Sequence, residues 1–439
     1  MRSTVGRGTG TGADTVDRDP AIDLVRFICL ALVVVGHSMM VSPVLRPDGT
    51  VTTENTLGDQ DWFVPVIWIF MVMPLFFVTG GATGLQSWRR LKARGGTAAQ
   101  FIRARLLRLL RPTTALLAAM VLGLSLARAL GVDQQVVQLM ATGAGMPLWF
   151  LAAYLAAQLN IPLLAALHAR SPWLALGLLL GLVVAVDCLR GALPNLAYAN
   201  LVFVWCAVQQ LGFLAVDGWT SRLSRSGLLA IALAANLALG LVTGLGLYTG
   251  NMLVNLNPPN LTLVLLGVSQ LAVMELARPV LAALAEVSWI GRLVAMAGSR
   301  SLTVYLWHLP LLGAMSGLLL LVPFPKPAAG TAEWWWSRPL VVLALVILLL
   351  PVAAAFGRME DRTTPAPTIR CRPAVAGAAV VVVFIPVADA ALSGLSLGLL
   401  AAGTVCFSAA LLLLRGSPLG RRQPFRRRHG RRTIASGLK

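Results

Sequence analysis

The chain has 439 residues, of which 57% are hydrophobic and 12% charged, with a mean hydropathy of +0.78. A soluble core of this length does not need so much apolar surface; a polytopic helical membrane protein does. The apolar runs are near 20 residues long and do not alternate, which argues against a transmembrane β-barrel, and the net charge of +19 resides in arginines clustered between those runs, as a topology signal does and a nucleic-acid surface does not.

In chain order, residues 1–17 are Gly/Thr-rich and polar. They read as a disordered N-terminus with too little apolar character for a signal-peptide core. Ile22–Val41 reads as an uncleaved first span, and further spans fall near 62–85, 112–130, 147–167, 173–190, 196–216, 227–248, 260–277, 301–321, 339–356, 374–391 and 394–414. The expected fold is therefore all-α, a polytopic bundle of transmembrane helices separated by breaks such as Asn257-Pro-Pro-Asn260. Placing the N-terminus in the cytoplasm leaves only Arg46, Arg128, Arg190, Lys326 and Arg338 outside and Arg26 within the first span, with every other lysine and arginine inside. The positive-inside rule demands such an asymmetry, and both termini are expected to be cytoplasmic. The basic tail 415–439 is read as a topology anchor that contacts anionic lipid. Cys29, Cys188, Cys206, Cys371 and Cys406 are scattered, without metal-ligand spacing. They read as small hydrophobes, and no metal is expected.

Three groups of residues can carry chemistry. The first is Arg26 and His37 in the first span, with Asp23 one turn before Arg26. Eleven helical steps turn the chain by about 1100°, so Arg26 and His37 face nearly the same way, about 16 Å apart along the axis. Charge and imidazole are costly in lipid, so both are expected to face a protein interior or a wet cavity. Imidazole removes a proton from a hydroxyl near neutral pH, and guanidinium holds phosphate or orients a carboxylate. The bland alternatives are a packing histidine and a snorkelling arginine. The second group is Arg105, Arg108 and Arg111, three residues apart with leucines between. Such a stripe clamps a polyphosphate or anchors an interfacial helix on lipid phosphates. The third is Tyr305 and His308, which share a helix face and either border a cavity or pack. Trp149 and Trp334-Trp335-Trp336 read mainly as interfacial aromatic anchors. Thr79-Gly-Gly-Ala-Thr-Gly84 reads as a site of close helix packing or a bend.

Asp19-Pro-Ala-Ile-Asp-Leu-Val-Arg26…His37, Phe76-Phe-Val-Thr-Gly80, Arg105-Leu-Leu-Arg108, Pro147-Leu-Trp-Phe-Leu151 and Tyr305-Leu-Trp-His308 occur in the order seen in the acyltransferase 3 family of bacterial membrane O-acyltransferases, which this chain resembles from about Asp17 to Glu360. The resemblance implies a ten-helix acyltransferase core at 18–360, followed here by an extra transmembrane hairpin at 374–414. It implies transfer of an acyl group, often acetyl, from acyl-CoA as co-substrate, with no bound cofactor. The acceptor is then a hydroxyl of a carbohydrate, an envelope component or a secreted metabolite, and the setting the bacterial plasma membrane. The family's histidine falls on His37, its first-helix arginine on Arg26, and its Arg-x-x-Arg pair on Arg105 and Arg108, with Arg108 and Arg111 repeating the spacing. Trp149, Tyr305, His308 and Asp23 are then candidates for the substrate cavity. No fused soluble domain is evident, so the chain completes the transfer alone or with a separate partner protein. The rival readings are a transporter or flippase, for which intramembrane charge is equally natural, and a silent membrane scaffold.

Overall fold

The computed structural model describes residues 19–48, 50–322, 326–361 and 371–415. The expected disorder of 1–17, the tail beyond Arg415 and most of the 361–373 linker lie outside the described residues. The chain is helical apart from one small antiparallel hairpin, in which Val41–Leu45 pairs with Val51–Asn55. The first half contributes α1 (Pro20–Met40), α2 (Phe63–Phe70), α3 (Met73–Ala93), α4 (Ala98–Ala129), α5 (Gln134–Leu159), α6 (Ile161–Arg170), α7 (Pro172–Leu189) and α8 (Asn200–Val216). The second half contributes α9 (Arg225–Gly244), α10 (Leu261–Glu286), α11 (Ser288–Ser299), α12 (Ser301–Leu321), α13 (Ala332–Phe356), α14 (Arg358–Asp361), α15 (Pro373–Ser393) and α16 (Leu397–Leu414). Among the described residues twelve segments are long and apolar enough to cross a membrane. This is a multi-pass all-α membrane protein, as the hydrophobic pattern required.

Local chemistry sets the boundaries. Asp19 caps α1, its carboxylate accepting from the N–H groups of Ala21 (3.0 Å) and Ile22 (3.4 Å), with Pro20 at the first helical position. The second span is not continuous: it breaks between Phe70 and Met73, because Pro74 supplies no N–H and disfavours helical geometry just before it. In an apolar medium the freed backbone groups need partners. Gln270 of α10 supplies them, donating to the Met71 carbonyl (2.7 Å) and accepting from the Leu75 N–H (3.0 Å). The third span starts earlier than its apolar run. A capping box between Thr97 and Gln100 opens α4, and the arginine-rich stretch continues through Pro112 in one helix.

The small residues of α3 do what small residues do in membranes. A methyl group on Gly212 of α8 would run into the Val78 carbonyl oxygen, and one on Gly81 into that of Gln209. The two backbones therefore touch. The C-terminal hairpin, α15 and α16, lies against α4. Leu400, Phe407, Ala410 and Leu414 share an apolar cluster with Leu106, Leu110, Leu116 and Leu117, and the Arg103 Nε–H donates to the Leu414 carbonyl (2.9 Å).

Candidate active site

Four arginines from three helices converge on one cavity of about 490 Å3, on the side of the bundle where Asp19 lies. Arg26 comes from α1, Arg90 from the end of α3, and Arg105 and Arg108 from the first turns of α4. The N-terminus of α12, with Ser301 and Leu302, opens on the same space and adds its helix dipole. Among the described residues none of the four guanidiniums forms an ion pair. Arg26 and Arg105 instead lie over the Phe76 and Phe101 rings, 5.6 and 4.9 Å from the centroids. Asp23 and Glu360 also line the cavity. The Glu360 carboxylate is drawn against α12, accepting from the Thr303 N–H (2.7 Å) and hydroxyl (2.5 Å). Asp19 lines the space as well, but it is engaged by Arg278. Gathering guanidiniums that lack an ion pair among the described residues in a partly enclosed space costs repulsion and desolvation, and a bound polyanion offsets both.

The cavity has an aromatic floor. Phe76, Phe150, Tyr154 and Tyr305 line it, with centroids 5.0 Å apart for Phe150 and Tyr305 and 5.4 Å for Phe76 and Tyr154. Along α1 the lining ends at Val33. His37 stands one turn further on, three residues before α1 ends at Met40. Arg26 and His37 thus lie on one face of α1 yet do not share a chamber.

What His37 meets is His308. The His37 Nδ1 and His308 Nε2 atoms are 2.8 Å apart, with the rings nearly parallel at 16°. His308 is fully buried, whereas His37 keeps part of its surface accessible. The hydrogen-bond network fixes the tautomers. His308 Nδ1 lies 2.5 Å from the Tyr305 carbonyl, and a carbonyl can only accept, so that nitrogen carries the proton. For neutral imidazoles, Nε2 of His308 is then the acceptor and the Nδ1–H of His37 the donor. The remaining nitrogen of His37, Nε2, is left with a lone pair. His308 therefore fixes the orientation and the tautomer of His37.

Of the residues singled out in the sequence, Asp23, Arg26, Arg105, Arg108 and Tyr305 line the cavity, and His37 and His308 form the pair beyond its floor. Two do not join them. Arg111 lies off the cavity, because α4 turns it away from Arg105 and Arg108 after a further three residues; it is engaged elsewhere. Trp149 packs edge-on to Phe150 (6.3 Å), and it is Phe150 that reaches the cavity. Trp336 is exposed as an anchor should be (81%), but Trp334 is buried beneath the Arg338 guanidinium, 4.1 Å from its ring centroid. Sequence reasoning missed Arg90, Tyr154 and Glu360. Arg90 was indistinguishable from the other basic-loop arginines. Glu360 carried one signal, an acid directly after a long apolar span on the arginine-rich side. Among the described residues no three His, Cys, Asp or Glu side chains gather as a metal site would require.

The fold and the cavity together define a membrane-embedded protein with a pair of contacting histidines behind an arginine-lined chamber. The family profile described as an acyltransferase domain matches residues 19–358 of the 439. The chain belongs to the acyltransferase 3 family. No curated protein and no solved structure matches it.

Proposed function

We propose that this member of the family is an O-acyltransferase that takes its acyl group, an acetyl group in the simplest case, from acyl-CoA. The observation that carries the reading is the convergence of Arg26, Arg90, Arg105 and Arg108 on one cavity, unpaired among the described residues and backed by His37 and His308. The phosphates of the donor suit the guanidiniums, and the aromatic floor suits its flexible arm and thioester. The His37 Nε2 lone pair takes the proton of an acceptor hydroxyl. The oxygen attacks the thioester carbonyl, the C–S bond breaks, and the proton held on His37 passes to the departing CoA sulfur. In a relay His37 is the first nucleophile. Its Nε2 displaces the CoA thiolate from the thioester. The acceptor oxygen then displaces the imidazole with breakage of the acyl C–N bond, and the acceptor's proton passes to the thiolate.

His37 lies about 5 Å from the end of α1 remote from the arginines, by helical rise. That supports entry of the acceptor on the side of the Val41–Asn55 hairpin and of the donor on the Asp19 side. The arginine distribution supports a cytoplasmic Asp19 side, and the family resemblance supports a bacterial plasma membrane as the setting. The acceptor is a hydroxyl of a carbohydrate, envelope component or secreted metabolite, and a separate partner protein can hand it on. The test is purified protein in nanodiscs supplied with acetyl-CoA and envelope extract, alongside mass spectrometry of glycans and secreted metabolites from a deletion strain. Loss of an acetyl increment in the deletion strain, restored by wild type and not by His37→Ala, is the expected result. Unchanged acetylation of every envelope and secreted compound refutes it.

A further inference from the structure

A second cavity, of about 350 Å3, opens on the Asp19 side between α1, α3, α8 and α10. It is within the size range of small-molecule sites. It shares Asp19, Ile22 and Gln86 with the arginine-lined cavity, so the two are neighbours across a common wall. Their chemistry differs. The first presents guanidiniums without an ion pair among the described residues, while the second presents one with three of its five N–H donors already engaged. Arg278 donates through Nε and Nη2 to the two oxygens of Glu275 (2.9 and 3.1 Å) and through Nη1 to Asp19 (2.5 Å). These bonds lock the guanidinium plane and leave its face, with 39% of the side chain still exposed. A flat cation held in this way stacks on heteroaromatic rings. The carboxylate oxygens of Asp19 and Glu275 keep lone pairs for an exocyclic amine. Gln86 makes no side-chain hydrogen bond among the described residues and offers both a donor and an acceptor at the shared wall.

We propose that this second cavity is a purine subsite, which takes the base of a nucleotide-bearing donor whose phosphates lie on Arg26, Arg90, Arg105 and Arg108. The inference rests on the acyl-CoA reading above. A phosphate cluster alone does not explain a neighbouring cavity lined by carboxylates, since carboxylates repel phosphate. A base carrying an amine and a π face fits them. The thioester end then points along α1 toward His37, and the nucleotide end stays near the Asp19 surface.

The test compares acetyl-CoA with acetyl-pantetheine, which has the same thioester and arm but no nucleotide. Two variants are used. Arg278→Lys keeps the charge and loses the plane. Ser221→Trp fills the cavity from its exposed rim, so the test survives if Arg278→Lys fails to fold. The KM for acetyl-CoA should rise about tenfold relative to that for acetyl-pantetheine, the scale of one lost base stack. Inhibition by pyrophosphate, which reads the arginines alone, should stay as in wild type. An equal rise for both donors, or no rise for either, overturns the purine subsite while leaving the donor reading intact. A wild-type protein that turns over neither donor overturns the donor reading, and the subsite with it.

Discussion

Replacing His308 by alanine removes the acceptor of the His37 Nδ1–H and leaves that donor buried without a partner. An unmade buried hydrogen bond costs about 1–3 kcal/mol. Here the cost falls on the tautomer that exposes the Nε2 lone pair, since the opposite tautomer no longer loses anything by comparison. At about 1.4 kcal/mol per tenfold, the population of competent His37 drops, and the rate of acyl transfer should fall about 5- to 150-fold. His37→Ala removes the base itself and should cost about 10²–10⁴-fold. Because His308 works only through His37, the double variant should be no slower than His37→Ala alone. His308→Gln can still accept through its amide oxygen and should recover part of the loss. The assay is CoA release in nanodiscs with acceptor-rich envelope extract, beside thermal unfolding to establish that each variant is folded. A folded His308→Ala protein with wild-type turnover refutes the orienting role. So does a double variant whose loss is the product of the two single losses.

Arg105→Gln with Arg108→Gln should raise the KM for acetyl-CoA far more than that for the acceptor, because the guanidiniums line the cavity proposed for the donor; steady-state kinetics that leave the donor KM unchanged return the pair to lipid anchoring. Asp217, outside the spans, is pushed up by burial but more strongly held down by hydrogen bonds from Arg89 and His168, so its folded pKa lies below the ordinary 3.8. Its contribution is complete above that value and lost as pH falls through the lower folded one, so the Tm gap between wild type and Asp217→Asn should be constant near neutrality and close only below pH 3.8. Gly212→Ala should lower the yield of folded protein, costing at least about 1–3 kcal/mol by overpacking, while Gly240→Ala, whose added methyl meets nothing within 4 Å, should be tolerated in the same expression and thermal-stability assay. Removing the chain after Pro373 should reduce abundance but not turnover per inserted molecule; the hairpin covers the leucine face of α4, and lipid replaces an apolar neighbour cheaply.

The spans were legible because hydrocarbon thickness imposes a length and a composition that no tertiary contact can override. The same rule hid what happens inside a span. Nothing in the apolar run from Trp62 to Leu85 marks the break at Met71 and Val72 except Pro74, and a proline near a helix start is usually innocuous. The break persists because Gln270, some two hundred residues later, has its amide in the right place. Pairings of that kind are set by packing, and a pattern read along one helix does not contain them. The small residues of α3 were a better guide. Gly81 needs a partner backbone nearby whatever that partner is, so the kind of contact was readable even though Gly212 of α8 was not identifiable as its counterpart.

At the site, helical periodicity conveyed direction but not depth. Arg26 and His37 do share a face, and periodicity alone brought Tyr305 into line with His308. The same periodicity offers about 16 Å of axial separation between Arg26 and His37, and that gap is filled by rings delivered from three other helices: Phe76, Phe150 with Tyr154, and Tyr305. In the proposed reaction an acyl group handed from the arginines to the histidines crosses an aromatic floor. With acyl-CoA as the proposed donor, only its thin arm suits a layer of packed rings, and its hydrated nucleotide stays behind them. The arginines set where the donor stops. On that reading the rings bound the reach of its thioester, and the His308 proton sets which nitrogen of His37 faces the acceptor hydroxyl.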